Sequence, residues 1–125
     1  MREGPQQLNP DNTLTKPPED DKIPVRIDES TTDGMVAPVY PVISYSHAKG
    51  VGGDAISSGV VYRGMAVPAL RGKFLFCDIT TGRIWWSDFN EMLAVDDGDP
   101  KTMAEMHEVR IAANNEVYGT MAPIT

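Results

Sequence analysis

The chain has 125 residues, of which 41% are hydrophobic, 18 are acidic and 11 are basic, giving a net charge of -7. This length allows one modest domain, and the negative charge repels a phosphate backbone, so we expect no nucleic-acid partner. No run approaches the roughly 18 consecutive apolar residues of a membrane span, so we expect no membrane partner either.

The first third of the chain is rich in proline and charge. Seven of the ten prolines stand at or before Pro41, in stretches such as TKPPEDDK. Proline removes backbone donors and charged side chains resist burial. We therefore predict an irregular, linker-like segment over residues 1–36, with neither a secretory signal nor an anchor, and a folded part over residues 37–125.

From residue 39 onward, short apolar runs are cut by glycine and proline, which is typical of an all-β fold. The predicted strands cover residues 42–46, 58–63, 73–78, 83–88 and 106–111. Between the last two, EMLAVDDGDPKTMAEMHEV is ambiguous because it is rich in helix formers. We favour a loop followed by a strand, with a short helix after Pro100 as the alternative.

The clearest local signal is KFLFCD-ITTG-RIWWSD, which predicts a hairpin. Asp78 can cap its turn, and Gly82 can close the turn with a positive φ.

The first strand of this hairpin is apolar on both faces, with Phe74 and Phe76 on one and Leu75 and Cys77 on the other. A sheet of this kind needs cover on both sides, as in a blade stacked between two others in a β-propeller. About five strands make little more than one blade.

Metal chemistry has weak support. His47 and His107 are the only histidines and are far apart in sequence, while one cysteine excludes a cysteine cluster. Asp96, Asp97 and Asp99 are of the ligand type that calcium prefers, but their spacing differs from an EF-hand loop. We favour a polar surface turn and expect no metal site.

The aromatic and basic residues of the strands also have two interpretations. Trp85 and Trp86 are adjacent and must face opposite sides of a strand, and we favour packing over a ligand platform for both. Arg63 and Arg83 could hold a carboxylate or quinone oxygen, although such arginines more often cover apolar edges.

The order of YPVISYSHAKG, AISSGVVYRG and VPALRGKFLFCDITTGRIWW, followed by DDGDPKTMAEMHEVRI, resembles the C-terminal part of the glucose/sorbosone dehydrogenase family. The resemblance spans about residues 36–111. It implies one to one and a half blades of a six-bladed β-propeller, from a periplasmic or extracellular parent that uses pyrroloquinoline quinone (PQQ) and calcium to oxidise aldoses.

Few functional residues of the family have a matching residue in this chain. Its catalytic histidine lies in earlier blades, which this chain does not contain, so no catalytic residue is expected here. A cofactor-binding lysine of the family is replaced by Thr80, and a cofactor-binding threonine by Gly53. The remaining candidates to reach the cofactor are Thr80, Thr81 and Arg83 on the hairpin loop.

Two hypotheses follow. In the first, the chain is a fragment of a quinone-dependent sugar dehydrogenase, inactive alone, whose partners are the missing blades or a second copy bound through exposed strand edges. In the second, it is a non-catalytic interaction module that binds a protein or a glycan. Both predict marginal stability or self-association, because a lone blade cannot bury both faces.

Overall fold

The computed structural model describes residues 2–3, 6–9, 11, 13–15, 22–50 and 52–120. Within these ranges the protein is mostly β, with small antiparallel sheets and one short helix. The elements in chain order are β1 (Arg2–Glu3), β2 (Gln6–Leu8), β3 (Leu14–Thr15), β4 (Ile23–Arg26), β5 (Thr32–Val36), β6 (Ile56–Val61), a 3-10 turn (Pro68–Leu70), β7 (Lys73–Asp78), β8 (Ile84–Asp88), α1 (Phe89–Ala94), β9 (His107–Glu108), β10 (Ile111–Ala113) and β11 (Glu116–Tyr118).

The largest sheet is a four-stranded antiparallel meander in the order β6-β7-β8-β9, so that strands consecutive in the chain lie side by side. A register shift interrupts the β6-β7 pairing between Ile56 and Gly59. The other sheets are small: β1-β2-β3, β4-β5 and β10-β11.

The predicted hairpin is confirmed as β7 and β8. Phe76 lies opposite Trp85 and Leu75 lies opposite Trp86. The Asp78 side chain caps the turn, and Gly82 adopts a φ of 67°, which favours glycine.

One face of the meander is well covered. Phe76 and Trp85 are each only 3% exposed, and the aromatic rings of Tyr45 and Trp85 stack with centroids 5.0 Å apart. Phe76 and Trp85 are also stacked, at 5.7 Å. The coil around Tyr45 therefore supplies the cover that this face requires.

The opposite face is only partly covered. Leu75, Cys77, Ile84 and Trp86 are half-buried, and Val60, which pairs with Leu75, is 64% exposed. The described part of the chain thus buries one apolar face of its central sheet and leaves the other half open.

The predicted strand at residues 42–46 is wrong, because this segment forms no strand ladder. Its backbone carbonyls instead accept isolated hydrogen bonds, at Val42 from the Ala104 amide (2.8 Å) and at Ser46 from the Gly53 amide (3.1 Å). The alternating pattern of VISYS instead serves packing, since Tyr45 lies against the face of the sheet rather than at its edge.

The last predicted strand, residues 106–111, is divided. Its first part is β9, which pairs with β8 through His107 and Glu108, and its end lies in the β10-β11 hairpin. Two residues with positive φ, Asn114 and Asn115, make the turn of that hairpin.

The ambiguous segment is part helix and part loop: its first four residues, 91–94, belong to α1, and no helix follows Pro100 before β9. The favoured loop is therefore right for the residues around Pro100, but the position of the helix, at Phe89–Ala94, was not predicted. Asp88 caps it by accepting hydrogen bonds from the amides of Asn90 (2.9 Å) and Glu91 (3.3 Å).

Residues 1–36 are not uniformly irregular, so that prediction is wrong: β1, β2 and β3 form one small sheet there, and a hairpin is formed by β4 and β5. Their turn is built by Asp28, whose carboxylate accepts hydrogen bonds from the amides of Ser30 and Thr31, both at 2.8 Å. All residues of β5 are exposed, so the β4-β5 hairpin adds little to the core.

Candidate functional site

The most concentrated polar cluster surrounds Asp78, at the end of β7. Its side chain is only 2% exposed. The Oδ2 atom accepts hydrogen bonds from the backbone amides of Asp54 and Ala55, both at 2.6 Å, and from the Tyr45 hydroxyl at 3.1 Å. This oxygen therefore ties the coil before β6 to the central hairpin.

The second oxygen of Asp78 organises the turn itself. Oδ1 accepts hydrogen bonds from the amide and the hydroxyl of Thr80, at 3.1 and 2.9 Å. It accepts two more from the amide and the hydroxyl of Thr81, both at 2.8 Å. One buried carboxylate thus accepts seven hydrogen bonds.

Burial and these hydrogen bonds determine the pKa values of Asp78 and Tyr45. Burial alone raises the pKa of the Asp78 carboxyl, but the hydrogen bonds from Thr81, Asp54 and Thr80 outweigh it and hold the pKa well below its usual range. Burial, followed by the hydrogen bond to the Asp78 carboxylate, raises the pKa of Tyr45 to about 12. Asp78 is therefore ionised and Tyr45 is neutral at pH 7. This hydrogen-bonded pair is better suited to holding two segments together than to transferring a proton.

Arg83 lies in a second cluster beside the first. Its guanidinium donates a hydrogen bond to the Gly50 carbonyl and lies 3.6 Å from Glu108 Oε1. Glu108 also pairs with Arg110, at 3.2 Å. The Thr120 hydroxyl donates to the Thr81 carbonyl at 2.5 Å, so Thr120, shortly after the β10-β11 hairpin, lies against the turn.

The three predicted cofactor residues are therefore close in the fold, but their polar groups already have partners within the chain. The hydroxyls of Thr80 and Thr81 donate to Asp78, and the guanidinium of Arg83 binds Glu108 and Gly50. A ligand at this loop would have to displace these bonds. This arrangement does not fit a preformed PQQ site.

Gly53 provides a second, independent argument against a preformed PQQ site at this loop. A Cβ atom at this position would lie 2.6 Å from Asp78 Oδ2 and 2.6 Å from Tyr45 Cε2. The position at which the resemblance implies a cofactor-binding threonine can therefore take a side chain only if the Asp78 or Tyr45 side chain moves.

The side chains considered for metal binding lie apart. The described residues contain no group of three or more His, Cys, Asp or Glu side chains that could hold a metal ion. His47 is exposed, and His107 is 3.6 Å from Glu105. In the aspartate-rich turn, Asp97 accepts a hydrogen bond from the Asp99 amide at 2.8 Å, and Asp99 accepts one from the Lys101 amide at 2.9 Å.

A second surface, of which the sequence analysis considered only Trp86 as a ligand platform, lies on the half-open face of the sheet. The rings of Trp86 and His107 stack with centroids 4.1 Å apart, and Lys73 Nζ is 4.7 Å from the centroid of the Trp86 ring. Lys73 also forms a 2.7 Å salt bridge with Asp88. The opposite directions predicted for the two tryptophans are confirmed, because the neighbouring Trp85 is buried on the other face.

The sequence contained part of the signal for both surfaces. An aspartate followed by two threonines and a glycine indicates a capped turn, and the aspartate was recognised as its cap. The contributions of Tyr45, the Asp54 amide and His107 could not be found in the same way, because they come from segments distant in sequence.

Comparison of the chain with protein-family models, with curated proteins and with solved structures gives no match. Among the described residues, no helix is long and apolar enough to cross a membrane. The resemblance to the glucose/sorbosone dehydrogenase family rests on the sequence motifs alone and stays a prediction.

Proposed function

We propose that this chain supplies a structural blade to a larger β-propeller related to the quinone-dependent sugar dehydrogenases, and that it does not itself hold the cofactor. The observation that carries the proposal is the four-stranded antiparallel meander β6-β7-β8-β9 with one face covered and the other half open. A four-stranded meander stacked between two neighbours is the building unit of a propeller.

The Asp78 cluster has a natural role in this proposal. Propeller blades depend on short turns that keep a fixed shape, and four hydrogen bonds from Thr80 and Thr81 to the Asp78 carboxylate fix the turn at residues 79–82. Three further hydrogen bonds to the same carboxylate hold the coil before β6 against this hairpin. Its donors serve the fold rather than a ligand, so catalysis and quinone binding are assigned to other parts of an exported parent protein.

An assay of two proteins tests this proposal. The chain alone and the product of its complete natural reading frame are each mixed with PQQ, calcium, glucose and a dye acceptor. We expect dye reduction by the longer product and none by the chain alone. Dye reduction by the chain alone contradicts the assignment of the cofactor site elsewhere, and no dye reduction by either protein contradicts the dehydrogenase relationship.

A second candidate function is a non-catalytic module that binds a protein or a glycan. The observation that favours it is the surface of Trp86, His107 and Lys73, because aromatic residues such as Trp86 are enriched at binding surfaces. A glycan array or a defined protein partner should then lose binding with Trp86→Ala and keep it with Val39→Ala, which alters an exposed coil residue. Equal binding by both variants would show that this surface is not the binding site.

A further inference from the structure

The outer edge of β6 is an open place for another strand. β6 is the terminal strand of the four-stranded sheet, and β7 pairs with its inner side. No described strand pairs with its outer side. The backbone groups along such an edge are a template for a further strand.

This edge has few of the features that usually prevent association. Its sequence, ISSGVV, contains no charged residue and no proline. Ile56 is 57% exposed and Val60 is 64% exposed. The one protective feature is the register shift between Ile56 and Gly59, which leaves the stretch from Gly59 onward regular.

The two ends of β6 carry opposite charges. Asp54 precedes the strand and Arg63 follows it, and both residues are exposed. If two β6 strands pair antiparallel, the Asp54 end of each lies beside the Arg63 end of the other, whereas parallel pairing brings like charges together. A net charge of -7 also disfavours contact between other, acidic surfaces of two copies.

From these features we propose that β6 pairs antiparallel with β6 of a second copy of this chain, joining two central sheets across a two-fold axis. The contact is isologous, because each copy offers the same strand. Main-chain hydrogen bonds supply the affinity, and the charged ends set the direction. This inference rests on the edge of β6 and does not depend on the proposed function.

The first test is sedimentation velocity over a range of concentrations. The unaltered chain should form dimers, and Val60→Lys should raise the dimer dissociation constant by at least about tenfold, because a lysine at an edge opposes pairing. Val39→Lys is the matched control, since Val39 is 90% exposed and lies outside the strands. Circular dichroism should show the same fold for all three proteins.

The second test addresses the direction of pairing. Asp54→Arg alone and Arg63→Asp alone should each weaken the dimer about fivefold, because like charges then meet at both ends of the paired strands. The double variant should recover the original dissociation constant. A monomer at all concentrations, an unaffected Val60→Lys dimer, or a double variant no better than the single ones would each overturn the proposal.

Discussion

At the scale of single residues, Asp78 has the largest structural role, because it is a buried charge that depends on its donors. Removing any partner of a buried ion leaves unsatisfied groups, which costs more than the bond itself contributes. The cluster should therefore tolerate few substitutions, although most of its donors are backbone amides that any residue would provide.

Asp78→Asn should lower the melting temperature by roughly 10 °C, because an amide cannot accept at both positions where the carboxylate now accepts. Thermal unfolding at pH 7 followed by circular dichroism measures this change. Asp96→Asn is the matched control, since Asp96 is an exposed loop aspartate, and its melting temperature should hardly change.

The difference in melting temperature between the unaltered chain and Asp78→Asn should depend on pH. The folded-state pKa of Asp78 lies below its ordinary value of 3.8, so its stabilising contribution is fully present above that value. The contribution declines as the pH falls further, toward the lower folded-state pKa. The melting temperatures of the unaltered chain and Asp78→Asn should therefore converge at acid pH, and two parallel curves would disprove the depressed pKa.

Gly53→Ala tests the close packing behind Asp78. The added methyl group would lie 2.6 Å from both Asp78 Oδ2 and Tyr45 Cε2, so we expect a loss of about 2 kcal/mol in the free energy of unfolding. Urea denaturation measures it. Gly119→Ala is the control, because the described atoms nearest to its methyl group would be those of the Glu108 carboxylate, at an ordinary 3.4 Å.

At the scale of elements, local signals were sufficient for the central hairpin. The bounds of β7 were predicted correctly, and Asp78 and Gly82 were assigned their roles in the turn, because a capped glycine turn between two apolar strands is specified by adjacent residues. A similar local signal for α1 was overlooked: Asp88 followed by Glu91 is a helix-start pattern.

Other elements could not be predicted because they depend on contacts distant in sequence. The alternation of VISYS is the same whether a segment joins a sheet edge or packs on a sheet face, and only the stacking of Tyr45 on Trp85 distinguishes the two. Likewise, the sequence indicated that Thr80, Thr81 and Arg83 lie near one another, but not that Asp78 and Glu108 already bind them.

The two faces of β8 should respond differently to the same substitution. Trp85→Ala should cost about 3–5 kcal/mol, because Trp85 is 3% exposed and stacks on both Tyr45 and Phe76. Trp86→Ala should cost only about 1–2 kcal/mol, since Trp86 lies on the half-open face. Equal losses in urea denaturation would mean that both faces are equally buried.

At the scale of the whole molecule, the central sheet determines how the chain behaves. The Tyr45 ring covers part of one apolar face, and the described residues leave Val60 and its half-buried neighbours on the other face partly in contact with water. Small domains of this kind have little stability to spare. Association with a second sheet, for example that of another copy, would add the missing contacts.

Scanning calorimetry over about a hundredfold range of protein concentration tests this account most directly. If the half-open sheet is stabilised by association, the melting temperature should rise by about 10 °C across that range, because the partner binds only the folded state. A sharp transition at high temperature that does not depend on concentration, from a chain that sediments as a monomer, would show that the chain stabilises its own sheet and would contradict the account.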